Sequence, residues 1–473
     1  MATPRASVFP AASGDGVFAG IPRPPGWDTG ADAGSLVGNV WTPALGPNGL
    51  VNAASVALVP LSTAGDIKWV EVAGTRLDSL DSAVRLVQPG WSDRGTGDPW
   101  VSVLRSYSGM AFDVRAGYER GFVSASGGHF GGSNDGSYGI NFRTMQWWVV
   151  QHPWNQANMD PAYKLPDLYS STGSFTGYPL AQSYYSSNPS NAEGVYGDEF
   201  FDPAHPTDPA YSPRRPTPRH QYVAQVFVPE LGAQGRLIFG TRRYHELDLA
   251  TTWLTPKFPF GDGATYNDIT GYSGQYCAGF WDEVEQRYYF GPTQGPVSEG
   301  GHRWWSCQSG GTNWRDEAGF PIDGELSEFV AYQKRGRTLW MCVYDAGPGH
   351  RTTKPLQMRE ANLTTRAVTV HTLNLGASLS GKTWPLDDYD FGPGSTWVPW
   401  VNKWLINLRT VEDGYAWAWI DPATWTVDLA TDMNGAALQP DQRLLSKVQA
   451  LESAGFLVHV QAADLNIRAA RFE

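Results

Sequence analysis

Paired strand-like segments, each closed by a short polar turn, recur along this chain, and the interval between them restricts the fold more than any other feature. The pairs read "GMAFDVRAGYERGFVSASG", "YVAQVFVPELGAQGRLIFG", "YCAGFWDEVEQRYYFG", "FVAYQKRGRTLWMCVY", "WVPWVNKWLINL" and "VQALESAGFLVHV". The last five turn near Gly232, Val284, Gly336, Asn402 and Gly455, at intervals of 52, 52, 66 and 53 residues. A unit of roughly 50 residues cannot bury its apolar faces alone and has to stack on copies of itself.

A second pair of strands follows in several units. "YGINFRTMQW" (138–147) and "YHELDLATTW" (244–253) share a Tyr, an alternating strand, a Thr-containing turn and a Trp nine positions after the Tyr. "AWAWIDPATW" (416–425) repeats the idea with the Asp-to-Trp step one residue shorter than in the second copy. Each unit is therefore four antiparallel strands, a to d, and the expected fold is an all-β propeller of about six blades. Composition agrees: 53 Gly, 34 Pro, 21 Trp, 21 Tyr and 20 Phe with only 17% charged residues describe short aromatic strands broken by turns.

The first hairpin, turning near Gly117, precedes the second by 115 residues. Residues 151–216, rich in Ser, Tyr, Pro and Asn and without sustained period, account for the excess as a long inserted loop. The final unit ends in "LNIRAARFE", a third strand without a fourth, while "IKWVEVAG" (67–74) stands alone before the first blade. That strand is expected to close the ring as the missing outer strand, leaving no open sheet edge between first and last blades. On this reading residues 1–60 form an arm or tether outside a propeller spanning 61–473.

Gly127 and Gly128 ending a second strand, Tyr138 ten residues on and Trp147 nine after that resemble the kelch motif of galactose-oxidase-type propellers. More narrowly, "SYSGMAFDVRAGYERGFVSASGGHFGGSNDGSYGINFRTMQWW" with "PRHQYVAQVFVPE" is similar to a group of bacterial and bacteriophage kelch-like propellers. The likeness is specific in the first two blades; the fourth carries Val368 where an outer Trp is expected. It implies a non-catalytic binding or structural role in a virion, as a tail or capsid-associated protein, or in a surface assembly. The expected partners are a glycan or neighbouring subunits of an oligomeric assembly. The copper radical chemistry of galactose oxidase is not expected, because its cross-linked Tyr–Cys pair and further ligands find no counterpart here.

A net charge of −12 argues against nucleic acid, which demands clustered Lys and Arg. No stretch approaches the roughly 18 apolar residues of a membrane span, and the first 20 residues lack the basic start and apolar run of a signal peptide. Release by host lysis would suit such a chain. Cys277, Cys307 and Cys342 are expected as buried thiols, Cys277 and Cys307 pairing only if their strands are neighbours.

Strand alternation sends the b–c and d–a connections to one face of a propeller and the a–b and c–d turns to the other. On the first face fall His129 and Asp135 of "GGHFGGSNDG", the 151–216 insertion, Arg219 and His220, Arg242, and His302 in "SEGGHRWW". His129, Asp135, Arg242 and His302 are candidate ligand contacts, with Trp304 and Trp305 expected to stack on sugar faces. Each histidine has a plainer role in fixing its own glycine-flanked loop. A carbohydrate-active enzyme, lyase or hydrolase, is the alternative, with Arg219, His220 and Tyr222 as its candidate catalytic groups. No metal site or cofactor is expected: "GGHFGGSNDG" (127–136) has neither the Gly-Lys-Ser/Thr of a phosphate loop nor the spaced acids of a calcium loop.

Overall fold

The computed structural model describes residues 27–87, 100, 103–104, 109–124, 134, 136–151, 224–239, 245–250, 253–256, 278–291, 304–317, 320, 329–344, 356–383, 394–432, 435–438 and 447–473. These form a six-bladed β-propeller of four-stranded antiparallel sheets. Blade one comprises Ala111–Asp113, Arg120–Ser124, Ser137–Asn141 and Gln146–Gln151. Blade two holds Val226–Val228, Arg236–Phe239, His245–Asp248 and Trp253–Pro256, and blade three Ala278–Asp282, Arg287–Gly291, Trp305–Gln308 and Thr312–Asp316. Blade four is Phe329–Arg335, Thr338–Tyr344, Leu356–Asn362 and Val368–Thr372. Blade five is Ser395–Val398, Lys403–Thr410, Gly414–Asp421 and Thr426–Leu429, with Asn374–Leu375 added in parallel at its outer edge.

Blade six is assembled from two distant parts of the chain. Val448–Leu451, Phe456–His459 and Ile467–Arg471 supply strands a to c, and Val70–Val72 pairs antiparallel with the third of them, Val72 opposite Ile467 and Val70 opposite Ala469. The strand expected to close the ring does so. Residues 27–60 are not a free arm, which corrects the expectation. Val40–Thr42 continues the same sheet in parallel beside Val70–Val72, and Ser35–Val37 pairs with it. Trp27, Trp41, Val51, Val56 and Val59 pack into the core shared by blades six and one. Burying several large apolar side chains offsets the ordering of such a segment. Residues 1–26 lie outside the described residues.

The recurring turn has a chemical cause. The Asn or Asp ending the third strand turns its carboxyl or amide oxygen back on the chain. Asn141 accepts from Arg143 N at 2.8 Å, Asp248 from Ala250 N at 2.8 Å, Asn362 from Thr364 N at 2.9 Å, and Asp421 from Ala423 N at 2.9 Å. This side-chain mimic of a turn is why "NFRT", "DLAT", "NLTT" and "DPAT" mark equivalent places in four blades. The turn closes with a left-handed residue at Met145, Arg366 and Trp425.

Both faces of every blade are apolar, since each packs on a neighbour. Six buried clusters join blades one and two, two and three, three and four, four and five, five and six, and six and one. Six units in an open row would share five such interfaces; the sixth makes the ring.

Candidate functional site

The described strands separate two unlike ends of the propeller. Connections between strands a and b run from two residues (336–337) to seven (229–235), and those between c and d from three (309–311) to five (363–367). At the opposite end, the b–c and d–a connections include residues 125–136, 152–225, 257–277, 292–304 and 345–355. Chain length is thus spent on one face.

The short-turn face is consumed in holding blades together. The buried Glu246 of blade two accepts from Arg236 in its own blade, and from Ser309 Oγ at 2.9 Å and Gly310 N at 2.7 Å in the turn of blade three. Glu230 of blade two takes the indole N–H of Trp281 from blade three. Arg337 and Lys334 of blade four pair with Asp282 and Glu283 of blade three. Arg366 reaches from blade four to Glu285 and Glu317, each at 3.5 Å, and donates to the Tyr289 hydroxyl at 3.2 Å. Burial, with the hydrogen bond to Glu285, pushes the Tyr289 hydroxyl well above its ordinary range, so it stays a donor. Ser453 of blade six donates to Glu119 of blade one, carrying the series across the seam. Apart from Arg236, which pairs within blade two, each group named here has a structural partner in the adjacent blade.

On the long-connection face, the foot of the glycine-rich loop is fixed by Asn134. Its side-chain oxygen accepts from Gly136 N at 3.1 Å and from the Tyr138 hydroxyl at 2.7 Å, and the residue is buried. Its part is architectural, while His129 and Asp135 beside it lie outside the described residues. So do Arg219, His220, Tyr222, Arg242 and His302. In blade five the same face is short and tied down: Glu412 accepts the Thr383 amide at 3.0 Å, which holds its carboxyl below the usual range, and Lys382 bonds Asp413.

Trp304 and Trp305 are buried, 1% and 9% exposed, which corrects their assignment as surfaces for sugar stacking. Successive strand residues point to opposite faces, and both faces of a blade are interfaces. Trp304 packs on Phe320 at 4.9 Å and Phe280 at 5.9 Å against blade four, whereas Trp305 joins the cluster shared with blade two. Trp147 and Trp148 divide in the same way between the cores toward blades six and two. A Trp-Trp pair at a strand start thus signals packing on both sides. Sequence reasoning also passed over His459 and Lys447, both buried in blade six; the signal was a titratable residue inside the apolar runs "FLVHV" and "LLSKVQA".

Cys307 and Cys342 are free, buried thiols, while Cys277, the other member of the conditional pair, lies outside the described residues. Burial pushes both thiols above their ordinary pKa. Ellman's reagent at neutral pH is expected to leave both unmodified in the folded protein and to label both in urea, the sites being assigned by peptide mass spectrometry. Rapid native labelling of either would contradict its placement. Among the described residues no group of His, Cys, Asp and Glu is disposed to hold a metal ion, and no helix is long and apolar enough to cross a membrane.

No protein-family model matches the chain, and no curated protein matches its sequence. Solved structures do show likeness. TolB from Acinetobacter baumannii is 9% identical, with a TM-score of 0.33 over 67% of this chain and 52% of that one. This chain therefore spans about half the length of that protein. A fungal alcohol oxidase of the AA5 family, in complex with copper, is 11% identical with a TM-score of 0.36, covering 77% of this chain and 62% of that one. A mutant of AofleA from Arthrobotrys oligospora is 8% identical with a TM-score of 0.34, covering 79% of this chain and 85% of that one.

Proposed function

We propose that this chain is a binding or structural propeller of kelch-like type, acting in a virion or surface assembly, and that the face bearing its long connections meets a glycan or a neighbouring protein subunit. The observation that carries this reading is the contrast between the two ends of the strands. Turns of two to seven residues, locked blade to blade, make one face a scaffold, while the single connection 152–225 exceeds an entire blade in length. Rigid strands presenting long loops suit recognition, because the scaffold carries the cost of order and the loops carry the variation. The Tyr, Ser, Gly and Asn of 151–216 add amphipathic rings and adaptable hydrogen bonds.

Replacing residues 152–216 by a short Gly-Ser linker is expected to leave the thermal unfolding of the propeller within a few degrees of the parent. Binding to a bacterial polysaccharide array, or co-sedimentation with assembled particles, should be lost. Unchanged binding would reject the insertion as the contact surface. Depolymerisation of a polysaccharide by the parent protein, abolished by Arg219→Ala with His220→Ala, would replace this reading by the enzymatic one.

A further inference from the structure

The place where the N-terminal strand enters the ring contains a titratable group that no blade-to-blade bond uses. Across blade six, Val448, His459, Arg468 and Glu71 stand opposite one another in one row, on four adjacent strands. Leu457 and Ala470, two residues from His459 and Arg468, lie in the core shared with blade five, so this row faces that blade. The His459 imidazole is 1% exposed. Trp417 of blade five meets it edge to face at 5.3 Å, and Trp69, on the segment that leads into Val70–Val72, lies 6.0 Å away. Trp69 in turn stacks on Trp417 at 6.0 Å. The imidazole thus sits between blade five, blade six and the ring-closing segment, and its Nδ1 has no hydrogen-bond partner.

The charges around it come from every strand it touches. Lys447 precedes the inner strand and donates to the Leu104 carbonyl, Arg468 stands directly opposite, and Glu71 is the next member of the row. On the ring-closing segment, Lys68 pairs with Asp66 at 3.4 Å. Blade five offers the Trp417 ring.

We propose that this seam is a pH-sensitive latch, in which protonation of His459 loosens the segment 61–73 from blades five and six while the remaining blades stay folded. An imidazolium here would lose its hydration, gain no acceptor at Nδ1 and stand beside Arg468 and Lys447. Burial first, then Arg468 and Lys447, hold the imidazole well below its ordinary pKa. The sign follows. A base whose folded pKa is depressed contributes full stability above its unfolded value near 6.5. That stability is lost as the pH falls below this value, until the folded pKa is reached, and the opening equilibrium rises by up to about tenfold per pH unit in between. The segment released is the one held by Trp69, because its contacts with the seam are those the charge disturbs.

Hydrogen exchange read by mass spectrometry on the full chain, corrected for the intrinsic pH dependence of exchange, tests this. The opening constant of peptides within 61–73 should rise about tenfold between pH 6 and pH 5 relative to peptides within 278–291. His459→Gln should make the two regions respond alike. If that variant folds poorly, Arg468→Gln keeps the test decisive: the folded imidazole then titrates nearer its ordinary value, so the total rise is smaller and levels off at higher pH. A wild-type seam that opens no more in acid than blade three, or a full acid response retained in His459→Gln or unaltered in Arg468→Gln, would overturn the latch.

Discussion

Phe456→Ala is expected to lower the unfolding free energy by about 3–5 kcal/mol, the range for removing a buried ring from a core that cannot collapse onto the space. Phe456 is fully buried at the start of a strand in blade six, and two indoles from the N-terminal segment close over it. Trp41 stacks at 5.7 Å and Trp27 approaches edge-on at 5.5 Å. Losing this ring therefore weakens a blade and the segment docked on it together. Urea unfolding should show the lowered midpoint, and limited proteolysis should show cleavage within 27–60 before the blades are cut. Val284→Ala, in a turn of blade three with its side chain 67% exposed, should change stability by less than about 0.5 kcal/mol. A Phe456→Ala protein as stable as the Val284→Ala control would mean that residues 27–60 are not docked as described.

The second large effect is expected at Glu246. Its carboxylate is buried and accepts from an arginine in its own blade and from a hydroxyl and a backbone amide in the next. Glu246→Ala removes the carboxylate that accepts from the Gly310 amide and the Ser309 hydroxyl and leaves Arg236 without its nearer anion. A loss of about 2–4 kcal/mol follows, moderated because Arg236 is part-exposed and regains water. Glu246→Gln should recover part of it, since the amide oxygen still accepts from Gly310. The urea midpoints of the three proteins should fall in the order parent, Gln, Ala. Equal stability of the Gln and Ala variants would remove hydrogen bonding as the cause and leave charge alone.

The propeller was legible because its signals are local. A turn needs a residue tolerant of left-handed backbone, and Gly232, Gly336, Asn402 and Gly455 take that conformation where the hairpins were read. The ring-closing strand was legible because a third strand ending at Arg471 lacked a partner and "IKWVEVAG" lacked a sheet. The docking of residues 27–60 was not, since short apolar pieces between Gly and Pro carry no period; Trp27 and Trp41 find their partners only when blades six and one are in place. Trp304 and Trp305 misled for a related reason. A loop-flanking aromatic pair reads as exposed until both faces of the strand are known to be covered. The histidines and arginines proposed for the recognition face were placed by topology alone, and lie outside the described residues.

The sixth interface has a mechanical consequence. In a row of stacked units the terminal ones are held from one side and fray first. In this closed circle every unit is clamped twice, and the discontinuity in the polypeptide lies within a sheet, where Ile467–Arg471 and Val70–Val72 are hydrogen-bonded. No wedge between two blades is therefore the natural point of rupture. Lengthening a long connection alters neither the circumference nor the clamping, so the outline of the face that bears the long connections can be rewritten without re-engineering the hoop that carries it.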